Sequence, residues 1–224
     1  MANAVLRWYD HDDSGRIELH LPTSLPSLPS YLPYLPTFLP HYPVVLRDLK
    51  PDIIFLGGDI VHSKTQGISP ELIDILRWWF NSLADIAPVH LILGNHDGLM
   101  LNSDRMDTIS PIIEALDNPR ISYYKDSGRF PLKNHPGFNW CVLSCFDTEN
   151  WKKARPKKGE VNIALYHGAI WGSHTDMEFM LEGDDNIDIF KGFDFAMLGD
   201  IHKRQALDKE KRIWYSGSTI PQNF

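Results

Sequence analysis

The chain has 224 residues and a formal charge of -7, long enough to bury a sizeable single core without disulfide staples. This acidic balance excludes overall attraction as the means of holding a nucleic acid and leaves the task to local basic patches or metal ions. The two cysteines, Cys141 and Cys145, fit neither a zinc CxxC spacing nor a disulfide framework; with no signal pattern and no apolar run near about twenty residues, a reduced, cytoplasmic, non-membrane protein is expected.

At the N-terminus, "AVLRWYDHDD" reads as a strand leading to Asp10, and "IELH" as a weaker strand carrying Glu18 and His20. Residues 21–43 differ in kind. Pro22, Pro26, Pro29, Pro33, Pro36, Pro40 and Pro43 are spaced alternately by four and three. Each proline removes a backbone donor and costs about 3 kcal/mol inside a helix, so a helix is excluded and polyproline II is the default. Three readings stay open: a rigid ligand for an aromatic groove, an extended segment, or a stretch in which residues 1–43 are not native to the fold that follows.

From Pro51 onward short apolar runs alternate with helical patterns, the signature of βαβ units around a buried sheet. The expected strands are "DIIFLGG", "VHLIL", "CVLSCF", "VNIALY", "FDFAMLG" and "RIWYS". Between the first two, Ser69 can cap a helix and Pro70 suits its first position, with Leu72, Leu76, Trp79, Leu83 and Ile86 at helical spacing. A shorter helix begins at "SPIIEALD", and "DNPRISYYKDSG" carries the chain onward. The fold class is α/β, with one domain over residues 44–224 preceded by the proline-rich segment.

Four apolar runs end in residues able to bind a metal: "IIFLGGD" at Asp59, "LILGNHD" at Asn95, His96 and Asp97, "IALYH" at His167, and "FAMLGDIH" at Asp200 and His202. In α/β sheets ligands bind beyond the carboxyl ends of the strands, so residues remote in sequence are expected to share one crevice. Carboxylate, amide oxygen and imidazole together suit borderline divalent ions. Taken singly, a Gly-Asp after a strand or a strand-ending histidine is as well explained by a structural role; the set of four carries the signal.

In that order, these motifs resemble the calcineurin-like metallophosphoesterases. With "YSGSTIPQNF" and "YHGAIWGS" added, residues 44–224 resemble the nuclease subunit of SbcCD-type recombination exonucleases and their phage counterparts. The resemblance implies a sandwich of mixed β-sheets flanked by helices and a metal-dependent phosphodiesterase, a DNA exonuclease or endonuclease acting in recombination or repair. It further implies two divalent ions, Mn²⁺ foremost with Fe²⁺, Mg²⁺ or Zn²⁺ as alternatives. Asp59 would bridge both ions, Asn95, His167 and Asp200 would hold one, and His202 would join the other. His96 would steady the transition-state charge and protonate the leaving oxygen, with Asp97 as its orienting partner. Implied partners are DNA, an SbcC-type coiled-coil ATPase and a second copy of the chain, in a bacterial or phage-infected cytoplasm.

Two departures from the family pattern stand out. Asp200 takes a place usually held by histidine, and the DxH motif that ends the family's first strand is absent. Asp10 is the first substitute for it and Glu18 with His20 the second; otherwise the first metal site is missing. The sheet is therefore expected to lack or distort its first strand and helix, and the chain to stop before the family's capping region. Two further functions stay in view: a small-molecule phosphoesterase of the same fold, and a domain that binds without turnover. His174 in "WGSHTD" is a candidate substrate contact, His62 a surface or supporting residue, and "WKKARPKKG" a basic loop suited to a phosphate backbone or simply to solvent.

Overall fold

The computed structural model describes residues 46–61, 68–102, 105–183 and 185–218, together with the backbone of residues 3–9 and 16–20. Two sheets are present. The first comprises β1 (Asn3–Tyr9), β2 (Arg16–His20), β3 (Ile53–Leu56), β4 (Val89–Ile92) and β5 (Ile121–Tyr124), in the order β2-β1-β3-β4-β5. The second comprises β6 (Gly128–Pro131), β7 (Phe138–Leu143), β8 (Val161–His167), β9 (Phe195–Gly199), β10 (Gln205–Ala206) and β11 (Ile213–Tyr215), in the order β10-β11-β9-β8-β7-β6. Helix α1 spans Pro70–Ala84 and α2 spans Ser110–Leu116.

Strand periodicity sorts the apolar residues into layers. In β3, Ile53 and Phe55 face the second sheet, where they meet Trp140, Val142, Ile163, Leu165 and Met197. Ile54 and Leu56 face the other way, onto Leu76, Trp79, Phe80 and Leu83 of α1. The outer face of the second sheet, with Cys141, Ala164, Tyr166 and Leu198, is covered by loops that bring in Ile170 and Phe190. Being covered on both faces is what the continuous apolar runs require. Each large side chain so buried contributes roughly 1.5–3 kcal/mol.

Helix α1 forms as its sequence dictates: Ser69 Oγ accepts the Leu72 amide at 3.2 Å and Pro70 opens the first turn. Ile86 lies just past its end, still packed on the same core. Helix α2 begins at Ser110, as "SPIIEALD" predicts. Its start is held by Asp107, whose carboxylate accepts the Ile109 and Ser110 amides at 3.0 and 2.7 Å and the Ser110 hydroxyl at 2.7 Å. A carboxylate here serves better because one oxygen satisfies two of the orphan amides of the first turn. Strands β5 and β6 arise in a stretch read from sequence as connection; paired edge positions stabilise runs as short as "ISYY" and "GRFP".

The first strand, expected to be missing or distorted, is present, and β1 occupies the place beside β3. It runs antiparallel, with Asn3 opposite Leu56 and Leu6 opposite Ile53. Strand β2 returns along it, with Val5 opposite His20. The rest of the central pairing, β3 to β4 to β5 and β7 to β8 to β9 to β11, is parallel. The carboxyl ends of β3, β4, β8 and β9 therefore lie at one end of the sandwich. Among the described residues, no helix is long and apolar enough to cross a membrane.

Candidate metal centre

Three of the expected ligands meet at that end. Ligand atoms of Asp59, His167 and Asp200 lie within 4.8 Å of one another. His167 Nε2 is 3.3 Å from Asp59 Oδ1, 3.8 Å from Asp200 Oδ1 and 3.2 Å from Asn95 Oδ1. The expected set of Asp59, Asn95, His167 and Asp200 is thus brought together by the ends of four different strands.

Local backbone geometry makes the convergence possible. Asp59 and Asp200 both adopt positive φ, 55° and 89°, a conformation uncommon outside glycine and characteristic of residues held for a purpose. The loops press closely on one another. A Cβ on Gly199 would stand 1.9 Å from the Gly57 carbonyl oxygen, and one on Gly94 would stand 2.3 Å from Asp59 Oδ1. Only glycine leaves room for the acidic residues behind it.

The electrostatics are those of a cation site. His167 is 1% exposed, and its Nδ1 lies 2.5 Å from the Gly57 carbonyl, to which it donates. That bond leaves the Nε2 lone pair of the neutral ring directed among three oxygen acceptors. Burial disfavours a charged imidazole, yet Asp59, Asp200 and the Gly57 carbonyl outweigh it and raise the His167 pKa. For Asp59, burial pushes upward, but His167 and the His96 amide, which donates to Oδ1 at 2.9 Å, prevail and lower it. Burial, with Asp59 adding repulsion, raises Asp200 despite the nearby His167. A bound divalent ion satisfies all four donor atoms at once, and two carboxylates, an amide oxygen and an imidazole form a donor set for Mn²⁺, Fe²⁺, Zn²⁺ or Mg²⁺.

Asp97, expected to orient His96, binds backbone amides of two loops. It is 1% exposed, and its two carboxylate oxygens accept the Val61 amide at 3.0 Å and the Gly94 amide at 3.2 Å. It ties the loop after β3 to the loop after β4, and so places Asp59, Asn95 and His96 relative to one another. Burial pushes its pKa up to about 7. His96 is half-buried beside this cluster, its backbone amide bonded to Asp59.

His202 is not among the three clustered residues; burial lowers its pKa, and its carbonyl accepts the Ser218 amide at 2.9 Å. Asp10 and His62 lie outside the described residues, and of Glu18 and His20 only the backbone is described. Strand direction bears on these candidates. Tyr9, the last residue of β1, lies toward the amino end of β3, whereas β2 runs in the same sense as β3 and brings His20 level with Ile54.

His174 is half-buried and held by a residue that sequence reasoning passed over. Gln205 Oε1 accepts the His174 amide at 2.9 Å, and Gln205 Nε2 donates to the His174 carbonyl at 2.7 Å. Tyr215 was likewise missed: its hydroxyl donates to the Gly168 carbonyl at 2.6 Å and accepts the Ile170 amide at 2.9 Å, fixing the loop after His167. Gln205 follows "GDIH" and Tyr215 precedes "SGST", but nothing in either run announces a partner so distant in sequence. The basic residues of "WKKARPKKG" lie on a 3₁₀ turn over Thr148–Ala154 and just beyond it, with Lys152, Lys153, Arg155, Lys157 and Lys158 exposed.

With this fold and this cluster in place, comparison with known proteins agrees. The chain belongs to the calcineurin-like phosphoesterase family, whose model matches residues 19–204. It is 40% identical over 184 residues to an uncharacterised protein of Acanthamoeba polyphaga mimivirus, covering 77% of this chain and 13% of that protein. It is 25% identical over 173 residues to the uncharacterised metallophosphoesterase YhaO of Bacillus subtilis, covering 75% of this chain and 41% of that one. The chain therefore spans less than half the length of either relative. Members of this family are metal-dependent hydrolases of phosphoester bonds, and the Asp59, His167 and Asp200 cluster provides a matching metal-binding group.

Proposed function

We propose that the chain is the nuclease unit of an SbcCD-type assembly: a Mn²⁺-dependent DNA exonuclease or endonuclease serving recombination or repair beside a coiled-coil ATPase. The observation that supports the chemistry is the meeting of Asp59, Asn95, His167 and Asp200 at one point, with His96 alongside. The DNA substrate is favoured by the resemblance of "HGAIWGS" and "YSGSTIPQNF" to that nuclease group and by the exposed basic turn around Lys152 and Lys153.

When bound, the divalent ions supply Lewis acidity and an activated water for in-line attack on phosphorus. The chain's own residues do the rest. Asp59 would be a ligand common to both ions, and its Oδ1 is aimed by the His96 amide. Asn95 and His167 hold their donor atoms 3.2 Å apart, with the Gly57 carbonyl fixing the His167 tautomer. His96 donates to the phosphoryl oxygens as charge builds and delivers a proton to the departing alkoxide. Asp97 holds the loop carrying His96 through the Val61 and Gly94 amides. A second ion would be joined by His202, and of the two N-terminal strands it is the end of β2, not that of β1, that lies toward the carboxyl end of β3.

The test is cleavage of linear duplex DNA and of bis-p-nitrophenyl phosphate with Mn²⁺, read alongside a metal count. Cleavage of both, with two ions per chain, is the expected result. Cleavage of the small ester alone would replace this reading by a small-molecule phosphoesterase. A second reading, binding without turnover, is favoured by one observation, that His202 stands outside the described ligand cluster. One ion per chain with neither substrate cleaved would establish it.

A further inference from the structure

A cavity of about 510 Å³ opens between the two sheets at the end opposite the metal centre. It is lined by Ile53 of β3, His90 of β4, Ser122 and Tyr124 of β5, the residues leading into β4 and β5, and the turn between β6 and β7. His90, in this wall, lies five residues before Asn95, roughly 16 Å along an extended chain. A ligand here and a ligand at the metals are therefore separate.

The lining has an unusual charge. Arg120, Lys133, His90 and His135 come from three segments, and no Asp or Glu is among the described residues that line it. In a chain with 29 acidic and 22 basic residues, a wall whose described residues carry the cations Arg120 and Lys133, two histidines and no carboxylate is not a sample of the average surface. Such a wall repels metal ions and attracts anions.

Donors are also in surplus. Trp140 Nε1 can only donate, and it reaches His90 Nδ1 at 3.0 Å. The Tyr124 hydroxyl lies 2.9 Å from the same nitrogen, with its ring stacked on the imidazole at 5.8 Å. One lone pair thus faces two donors, and the neutral ring carries its proton on Nε2. Burial, with repulsion from His135, lowers the His90 pKa to about 4, so the neutral form is the one present near pH 7. An acceptor-rich ligand would take up what the protein leaves over: the second donor at Nδ1 and the cationic heads of Arg120 and Lys133.

We infer that this cavity is a second ligand site, taking a small organic phosphate of mononucleotide size, with its phosphate at Arg120 and Lys133 and the remainder against the Leu132 and Ile53 wall. Two cations on different segments match a doubly charged group better than a single carboxylate. The volume lies within the range of small-molecule sites and far exceeds what free phosphate fills.

Titration calorimetry on the whole chain, with EDTA present so that no metal ion can hold phosphate, tests this. Thymidine 5′-monophosphate is expected to bind one site per chain, thymidine not to bind, and inorganic phosphate to bind at least about tenfold more weakly. The Arg120→Ala, Lys133→Ala double variant should weaken the nucleotide by about tenfold or more, since both side chains give charge-assisted bonds. Both residues are exposed, so its melting temperature and its Mn²⁺-dependent hydrolysis of bis-p-nitrophenyl phosphate should match the parent's. The His90 ring signals should shift on nucleotide addition. Nucleotide binding that survives in the double variant, that disappears in Asp59→Asn, or that is no tighter than phosphate would overturn the assignment, as would no binding at all.

Discussion

The Gly57 carbonyl and His167 Nδ1 stand 2.5 Å apart, a hydrogen bond joining the loop after β3 to the last residue of β8. It sets the ring's tautomer and so decides that Nε2, between Asp59 and Asn95, is the atom presented to a metal. A carbonyl behind a metal-facing histidine is the usual way such a ligand is aimed.

Removing this ligand should abolish the protein's response to metal. For the parent, Mn²⁺ at about a hundred times its dissociation constant should stabilise the fold by about 2.7 kcal/mol, a rise in melting temperature of roughly 5–10 °C for a chain of this size. His167→Asn should show no such rise, and its hydrolysis of bis-p-nitrophenyl phosphate should fall by more than the roughly 10–100-fold that losing an outer partner costs. An unchanged thermal shift in the variant would remove His167 from the ligand set.

Gly199→Ala tests the packing of the loops. The new Cβ would collide with the Gly57 carbonyl oxygen at 1.9 Å and with His167 Nδ1 at 2.8 Å. Backbone must then move, and overpacking of this kind costs about 1–3 kcal/mol. The expected outcome is a lower urea midpoint together with loss of metal from the purified chain, since the displaced atoms are those that aim His167.

His90 should make stability depend on pH in a defined window. Its folded pKa, lowered by burial and by His135 to about 4, lies below the ordinary imidazole value of 6.5. Below pH 6.5 the unfolded chain takes up a proton that the folded chain refuses. The contribution is therefore fully present above pH 6.5 and is lost as pH falls toward 4, by about 3 kcal/mol in all. His90→Gln keeps an acceptor for Trp140 and does not titrate, so its urea midpoint should fall less steeply over this range than the parent's.

Gln205→Ala should loosen the His174 loop without emptying the metal centre. It removes two hydrogen bonds to the His174 backbone and one to the Lys203 carbonyl, each worth about 0.5–1.5 kcal/mol. Exchange of the His174 amide should quicken and KM for duplex DNA should rise, with metal content unchanged. If KM stays at the parent's value, His174 has no part in holding substrate.

The α/β class, α1 and the strand-end positions of Asp59, Asn95, His167 and Asp200 were legible because each rests on a local rule. Ser69 and Pro70 announce a helix start wherever they occur before helical periodicity, and "IIFLGGD" announces a buried strand with a turn and an acid after it. Asp107 escaped notice because it stands three residues before the helix that "Ser-Pro" already announces, and its bonds to the Ile109 and Ser110 amides follow from the turn between them. Gln205 and Tyr215 escaped because their partners lie 31 and 47 residues away, with no period linking the two ends. Strand direction at the N-terminus was equally hidden, since "AVLRWY" reads the same whether it pairs parallel or antiparallel.

The sequence by itself determined the family, the order of the strands that carry Asp59, Asn95, His167 and Asp200, and the donor chemistry of the site, because residue type and period-2 patterning are local properties. Only the tertiary structure decided which nitrogen of His167 faces the cluster, that Asp97 joins two loops, and that β1 runs against β3. It alone brought the basic side chains of three segments around one cavity. Those outcomes depend on where separate strands end up beside one another, and that is settled by burial of both sheet faces, not by any single stretch of chain.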